Sequence, residues 1–335
     1  MTKVIGRRHL IGQAALVGLA VTGIGSGLIP KSMAQDTTPL LKRIKMATIG
    51  AGDVDLVVEL YTTWLDYEVA ERGTISADLA GIWGAPKALG QPYVQLRPQS
   101  GADVYIRVVG IEPVPGYKAM TTWGWNSIEI VCDEVDDLYE KLKASPFEHI
   151  GGPANLGGGT MSIRAVQFKG PAEDVMYLTT ETGDRQKSPL PLPGSLVDRP
   201  FIMVVAGPDI EAIRTFYREK FNVDSYPPQP ARIGLIARAQ GLPEDHAYPL
   251  TMGRMREHGN NFEIDGYPDS TVARPRSDGH IPPGVAITSV TVDSLDGLDV
   301  EFVSTPATID GIGYNGRRAG LIIGPVGEWL EIIEE

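Results

Sequence analysis

The sequence predicts an α+β protein built from four βαβββ modules, each a strand, a helix and three further strands. Three observations predict this class: a fourfold repeat of an apolar strand, an aspartate and an amphipathic helix, short alternating strands after each helix, and similar ends of the two halves. The repeated aspartates lie 80, 76 and 84 residues apart, at Asp53, Asp133, Asp209 and Asp293. Repeats of this length indicate a domain-scale duplication rather than a solenoid.

The first 34 residues are predicted to be a twin-arginine export signal. Arg7 and Arg8 are followed by two apolar residues, a glycine-broken apolar segment and the small-residue cleavage site Ser32-Met33-Ala34. This segment is too short and too rich in glycine for a stable membrane span of about 20 residues. The alternative is an ordinary secretory peptide with a chance pair of arginines. Both interpretations place the mature protein in the periplasm.

The charge of the chain excludes two classes of partner. Removal of residues 1–34 takes away four basic residues and no acid, so the formal net charge moves from −12 to about −16. Binding to nucleic acid or to an anionic membrane surface needs a basic face, which such a chain does not favour. The single cysteine, Cys132, lies in an apolar strand-like segment and is predicted to be a buried, unreactive thiol.

Each repeated aspartate is predicted to be a helix N-cap, because its carboxylate can accept hydrogen bonds from the amides of the first turn. The first and third repeats match each other, since Tyr61 and Tyr217 both stand eight residues after the aspartate. The second and fourth repeats also match, in the segments 133–138 and 293–298.

The strands that follow the helices include 93–97, 104–109 and 163–168, where apolar and polar residues alternate. A segment with three prolines at 187–199 is predicted to be an extended linker. The sequence therefore predicts an N-terminal two-module domain at 40–186 and a C-terminal two-module domain at 200–335.

This order of elements, with its closing Gly-x-x-apolar-Glu-apolar strand, resembles the vicinal oxygen chelate superfamily over about 45–335. That family includes glyoxalase I, bleomycin-resistance proteins, methylmalonyl-CoA epimerase and extradiol dioxygenases. The resemblance implies that paired modules form two cup-shaped mixed β-sheet domains, as in the two-domain dioxygenases, with the site inside a cup. It implies much less about the chemistry.

The resemblance also implies where metal ligands would stand. The expected first-strand positions hold Met46, Ser127, Ile202 and Ile287. The expected closing-strand positions hold Arg107, Tyr177, Glu263 and Glu331. A catalytic first-row metal normally takes three protein ligands with imidazole among them. The sequence therefore predicts no metal and no other cofactor.

The two surviving acids, Glu263 and Glu331, are predicted to be catalytic and to face each other across the cup of the C-terminal domain. A carboxylate in an apolar cup has a raised pKa, and two such groups can exchange a proton with a carbon acid. The alternatives are that Glu263 pairs with Arg254 or Arg256, and that Glu331 belongs to an acidic tail.

His258 is predicted to be a third catalytic group, as a general acid or an oxyanion donor, with a surface histidine as the alternative. His246 and His280 lie in loops that are expected to cover the mouth of the cup. The predicted substrate-binding residues are Arg254, Arg256, His246, His280 and Trp329.

The function predicted first is an exported, metal-independent isomerase or lyase that abstracts a proton next to a carbonyl group of an apolar metabolite. The second is a non-catalytic periplasmic protein that binds or sequesters a small molecule. The third is a metal-dependent enzyme of the extradiol or glyoxalase type with an unusual carboxylate-rich site. No partner other than the small apolar substrate is predicted, and a homodimer is left open.

Overall fold

A computed structural model describes residues 38–156 and 162–335, so the predicted export signal lies outside the described residues. The first module contains β1 Ile44–Ala51, α1 Val54–Trp64, β2 Glu68–Thr74, α2 Ala77–Ile82, β3 Pro92–Arg97 and β4 Tyr105–Gly110. The second contains β5 Gly124–Cys132, α3 Val135–Leu142, β6 Glu148–Asn155, β7 Ile163–Lys169 and β8 Val175–Glu181. The third contains β9 Val197–Gly207, α4 Ile210–Phe221, β10 Gln229–Arg232, α5 Gly234–Gln240, β11 Ala247–Arg254 and β12 Asn261–Gly266. The fourth contains β13 Gly284–Val292, β14 Ala307–Ile309, β15 Arg317–Ile323 and β16 Trp329–Glu334.

The strands form two curled, mixed sheets of eight strands each. Their orders are β14-β15-β16-β13-β1-β4-β3-β2 and β10-β11-β12-β9-β5-β8-β7-β6. In each sheet two modules join through a central antiparallel pair, β1 with β13 and β5 with β9. The predicted fold class of two cup-shaped mixed sheets is therefore confirmed.

The modules that share a sheet are not the expected ones. The first and fourth modules form one sheet, here called the outer-module cup, and the second and third form the inner-module cup. The proline-rich segment 187–199 therefore connects two modules of the same sheet, and its last three residues belong to β9. The chain passes from one sheet to the other at 111–123 and at 267–283. The division into consecutive two-module units at 40–186 and 200–335 thus does not correspond to the two sheets.

One hydrophobic core contains buried residues of all four modules, together with apolar residues of α1, α3 and α4. Because side chains alternate along a strand, the residues between these core positions face the opposite side of each sheet. In β12, for example, Phe262 and Ile264 belong to this core, so Glu263 and Asp265 face the cup. Among the described residues, no helix is long and apolar enough to cross a membrane.

Two of the four predicted N-caps are confirmed. The carboxylate of Asp53 accepts from the amide of Leu56 at 3.0 Å, and that of Asp209 accepts from the amide of Ala212 at 2.9 Å. The other two are wrong. Asp133 binds Arg185 instead, and α3 starts after Glu134 with no side-chain cap.

No helix follows Asp293 in the described chain, and the fourth module is therefore a strand, a turn and three strands. Gly297 adopts φ 84° where the first helical turn was expected. This left-handed conformation favours glycine and interrupts a right-handed helix. Asp293 instead forms an ion pair with Arg256, with 2.5 Å between Nη1 and Oδ2.

The repeated tyrosines of the first and third modules make equivalent contacts. The Tyr61 hydroxyl donates to Asp174 at 2.8 Å, and the Tyr217 hydroxyl donates to Glu328 at 3.2 Å. Both acids stand in the turn before the closing strand of an even-numbered module. Burial raises the pKa of Asp174 to about 6 and that of Glu328 to about 7. The sequence repeat thus reflects a tyrosine–carboxyl contact that ties each odd-numbered module to an even-numbered one.

Candidate functional site

The outer-module cup is filled by side chains of its own chain. Helix α2 lies between β2 and β3 in the chain. Leu79 and Ile82 of this helix and Trp83 after it pack in one buried cluster with Met46 and Trp329. Ser76 caps this helix by accepting from the amide of Leu79 at 3.1 Å. The cup therefore contains packed side chains in the place where a ligand would bind.

At the centre of this cup, Glu331 and Arg107 form an ion pair with neither side chain exposed, 3.3 Å between Nη2 and Oε2. One carboxylate oxygen of Glu331 accepts from the Trp83 indole at 2.7 Å and the Tyr314 hydroxyl at 2.8 Å. The other also accepts from the Ser289 hydroxyl at 2.5 Å. Four donors thus satisfy the carboxylate.

Arg107 also makes several contacts besides its ion pair with Glu331. Its Nε and Nη2 lie 3.0 and 2.8 Å from the Thr48 hydroxyl, and its guanidinium carbon lies 4.7 Å from the centre of the Trp83 ring. Burial opposes its charge, but the attraction of Tyr314 and Glu331 outweighs burial, and the pKa of Arg107 is raised. A permanent cation thus stands at a position where the fold would place a metal ligand. These residues do not fit a metal ion.

The predicted acid–base pair of Glu331 and Glu263 is wrong in its geometry. Glu331 lies on β16 of the outer-module cup, whereas Glu263 lies on β12 of the inner-module cup. The error follows from the pairing of modules, because the two acids would have met only if the third and fourth modules shared a sheet.

Three acids of the inner-module cup, on β12 and β5, have no ion-pair partner among the described residues. Glu263 and Asp265 face the cup from β12, as argued above. In β5, Ile128 and Ile130 belong to the shared core, so Glu129 faces the cup. The register places Glu129 beside Tyr177 of β8, which faces the same side.

Asp265 is the least satisfied acid of this cup. Its side chain has no exposed surface, and within the described residues neither carboxylate oxygen has a hydrogen-bond partner. Burial raises its pKa to about 7. Burial also raises the pKa of Glu263 well above its usual value, and the charges of Asp265 and Glu129 raise it further.

Glu129 differs in having one donor. The Thr179 hydroxyl donates to it at 2.6 Å, which favours the ionised form, but burial outweighs this and raises the pKa of Glu129 to about 7. Tyr177 stands among the acids, and burial together with their charges raises its pKa well above the usual value. Close to neutral pH this cup can therefore hold both protonated and ionised carboxyl groups.

A cavity of about 510 Å³ borders the inner-module cup. Its wall includes Leu235 of α5, Ile150 of β6 and Met120 of the segment before β5. The charged residues that also line it are Lys118, Lys169, Arg238, Glu148 and Glu173. Ile150 and Tyr177 both pack against the buried cluster that contains Leu235 and Met120, so this wall is continuous with the lining of the cup. Small-molecule sites commonly enclose about 300–1,000 Å³. The inner-module cup is therefore the candidate site.

Most of the other predicted site residues lie outside this cup. His258 is exposed in the turn between β11 and β12, and no described contact joins it to Glu263. Arg256 donates to the carbonyl of Pro39 at 3.0 Å and pairs with Asp293, which fastens the start of the described chain. Arg254 is exposed at the end of β11.

The remaining predicted residues have structural surroundings. His246 packs edge-to-face against Tyr248, with 4.8 Å between ring centres. His280 is 3% exposed, and its Nε2 lies 3.7 Å from the Glu112 carboxylate. Trp329 is buried in the outer-module cup, where the Arg276 guanidinium carbon lies 5.0 Å from its ring centre.

Sequence analysis missed Asp265 and Glu129. Asp265 stands two residues after Glu263 on the same strand, so strand alternation alone could have placed it on the same face. Glu129 stands two residues after Ser127, an expected first-strand ligand position, so the same alternation places both on one face. Among the described residues, no group of three His, Cys, Asp or Glu side chains is arranged to hold a metal ion.

Comparison with solved structures supports the fold described above. No protein-family model matches the sequence, and no curated protein matches it. The structure is similar to that of glyoxalase I from Zea mays, with 13% identity over 87% of this chain and 92% of that chain and a TM-score of 0.56. It is also similar to a putative dioxygenase from Bacillus subtilis, with 11% identity over 89% of this chain and 86% of that chain and a TM-score of 0.56. At these identities the likeness shows the fold alone and nothing of the reaction.

Proposed function

We propose that this protein is an exported, metal-independent isomerase or lyase that moves a proton next to a carbonyl group in its inner-module cup. The observation that carries the proposal is the pair of inward-facing acids Glu263 and Asp265, which no described hydrogen bond or ion pair satisfies. General acid–base groups work best when their pKa lies near the working pH.

The pair supplies an acceptor and a donor at the same time. Two close carboxyl groups in a buried site share a proton near neutral pH, because ionising both brings two like charges together. In the proposed reaction, the ionised member of the pair takes the proton from the carbon next to the carbonyl, and the protonated member donates to the carbonyl oxygen. Return of the proton to another carbon or the other face gives an isomer, and loss of a neighbouring substituent gives a lyase product.

Deuterium exchange tests this proposal before the substrate is known. The protein is incubated in D₂O with a panel of small apolar ketones, aldehydes and esters, and uptake of deuterium is followed by mass spectrometry. We expect faster exchange of at least one compound, and Glu263→Gln should slow it by about 10²–10⁴-fold. Glu301→Gln, at an exposed acid, is the matched control and should exchange as the parent does. Equal exchange in Glu263→Gln and the parent would exclude a role for this pair in proton transfer.

Binding without turnover is the second candidate function. It is favoured by the cavity of about 510 Å³ that borders the inner-module cup, which gives a small molecule room without requiring any reaction. A compound that binds in the cup and takes up no deuterium in any condition would support this candidate instead.

A further inference from the structure

The two cups can be compared position by position, because the repeat places equivalent residues in both. Arg107 of β4 pairs in register with Thr48 of β1, and Glu263 of β12 pairs in register with Val204 of β9. Thr48 and Val204 each stand five residues before the capping aspartate of their module. Arg107 and Glu263 are therefore equivalent positions, a built-in cation in one cup and an acid in the other.

The helices α2 and α5 are equivalent in the same sense, since each follows the second strand of an odd-numbered module. Trp83 and Gln240 both stand seven residues after the N-cap of their helix. Trp83 donates to Glu331, whereas Gln240 donates to the carbonyl of Met120 at 2.9 Å and accepts from the Tyr248 hydroxyl at 3.0 Å. The inner-module cup thus lacks both the guanidinium and the indole that satisfy the carboxylate of the outer-module cup.

No described cation forms a hydrogen bond or an ion pair with Glu263, Asp265 or Glu129. Arg254 is exposed, and its described electrostatic effect is on Tyr226. Burial raises the pKa of Tyr226 to about 12, and the charge of Arg254 opposes that rise. The charge of Arg274 likewise opposes the rise that burial causes in the pKa of Tyr267. The guanidinium of Arg274 donates to the carbonyl of Val285 at 2.5 Å. The ionisable groups around the acid pair are Glu129 from β5, Tyr177 from β8, Tyr226 from the segment after α4, Arg254 and Tyr248 from β11, and Tyr267 after β12.

We propose that the ligand of the inner-module cup carries an amine or guanidine cation, which takes the place that the guanidinium of Arg107 takes in the outer-module cup. The unpartnered oxygens of Asp265 are its hydrogen-bond acceptors, and Tyr177 and Tyr226 provide aromatic faces beside it. The inference rests on the proposed function only in placing the site in this cup.

Binding of a cation should change the number of protons that the acids of this cup hold. In the free protein the acids of this cup hold protons near neutral pH, because burial raises their pKa. A bound cation favours the ionised form, so binding should release protons and should weaken as the pH falls. A neutral ligand of the same shape gives no such release.

Calorimetric titration with benzylamine, benzamidine and benzyl alcohol near neutral pH tests the inference. Repeating each titration in two buffers of different ionisation enthalpy counts the protons released. We expect the two cations to bind at least about tenfold more tightly than the alcohol, with release of protons, and Asp265→Asn to weaken them by about tenfold or more. Glu301→Gln should bind them as the parent does. Equal affinity for the alcohol, or unchanged affinity in Asp265→Asn, would overturn the inference.

A second variant keeps the test decisive if Asp265→Asn does not fold. Glu263→Arg places a guanidinium at the position equivalent to Arg107, and it should fold while losing affinity for both cations. Unchanged affinity in this variant would also overturn the inference. Cation binding without deuterium exchange would support the inference and remove the catalytic proposal, whereas exchange without cation binding would do the reverse.

Discussion

Replacing Glu331 with glutamine should destabilise the fold. Glu331 and Arg107 are both without exposed surface, and the carboxylate accepts from four donors. Removing one partner of a buried ion pair leaves an uncompensated charge and costs about 3–5 kcal/mol. For a chain of this size each kcal/mol corresponds to roughly 2–4 °C, so the melting temperature should fall by about 6–20 °C.

Thermal unfolding followed by circular dichroism measures this loss, with Glu301→Gln as the exposed control. The double variant Arg107→Met with Glu331→Gln removes both charges, so it should lose less stability than the two single variants together. Once a substrate is known, the folded fraction of Glu331→Gln should retain activity. A melting temperature equal to that of the parent, or loss of activity in a fully folded Glu331→Gln protein, would refute this account of the outer-module cup.

Three other predictions concern pH, the tyrosine contacts and export. Burial raises the pKa of Asp265 to about 7, so the native state binds more protons than the unfolded chain between about pH 4 and 7. The contribution of Asp265 to stability is therefore complete below this window and is lost as the pH rises through it. Asp265→Asn should flatten the dependence of melting temperature on pH. Tyr61→Phe and Tyr217→Phe should each cost about 1–3 kcal/mol in urea unfolding, because each leaves a buried carboxyl group short of one donor, and a large difference between them would contradict their equivalence. Exchanging Arg7 and Arg8 for lysine should leave an uncleaved precursor inside the cell, and a normal yield of mature periplasmic protein would count against the twin-arginine route.

Local features of the fold could be predicted because they depend on neighbouring residues. The caps at Asp53 and Asp209 follow from the preference of a short carboxylate for the first amides of a helix. The strands at 93–97 and 163–168 follow from alternation and are present in the structure. The buried thiol of Cys132 follows from an apolar strand, and burial raises its pKa above the usual value.

The pairing of modules could not be predicted in the same way. Each cup needs one odd-numbered and one even-numbered module, and the repeat satisfies that need whether the first module pairs with the second or with the fourth. The proline-rich segment 187–199 has the composition of an extended connection, but composition does not show which modules it connects. The sequence pattern therefore predicts one cup for Glu263 and Glu331, although they lie in different sheets.

The inner-module cup is the place where the sequence departs from what stability alone would favour. Burying a carboxyl group without a partner costs about 1–3 kcal/mol, and Asp265 has no partner within the described residues. The fold itself does not impose this cost, because in the outer-module cup four donors satisfy the buried Glu331. Two of those donors, on Arg107 and Trp83, stand where the inner-module cup has Glu263 and Gln240. Local departures from stability of this kind are typical of functional sites, which supports the ligand site proposed for the inner-module cup.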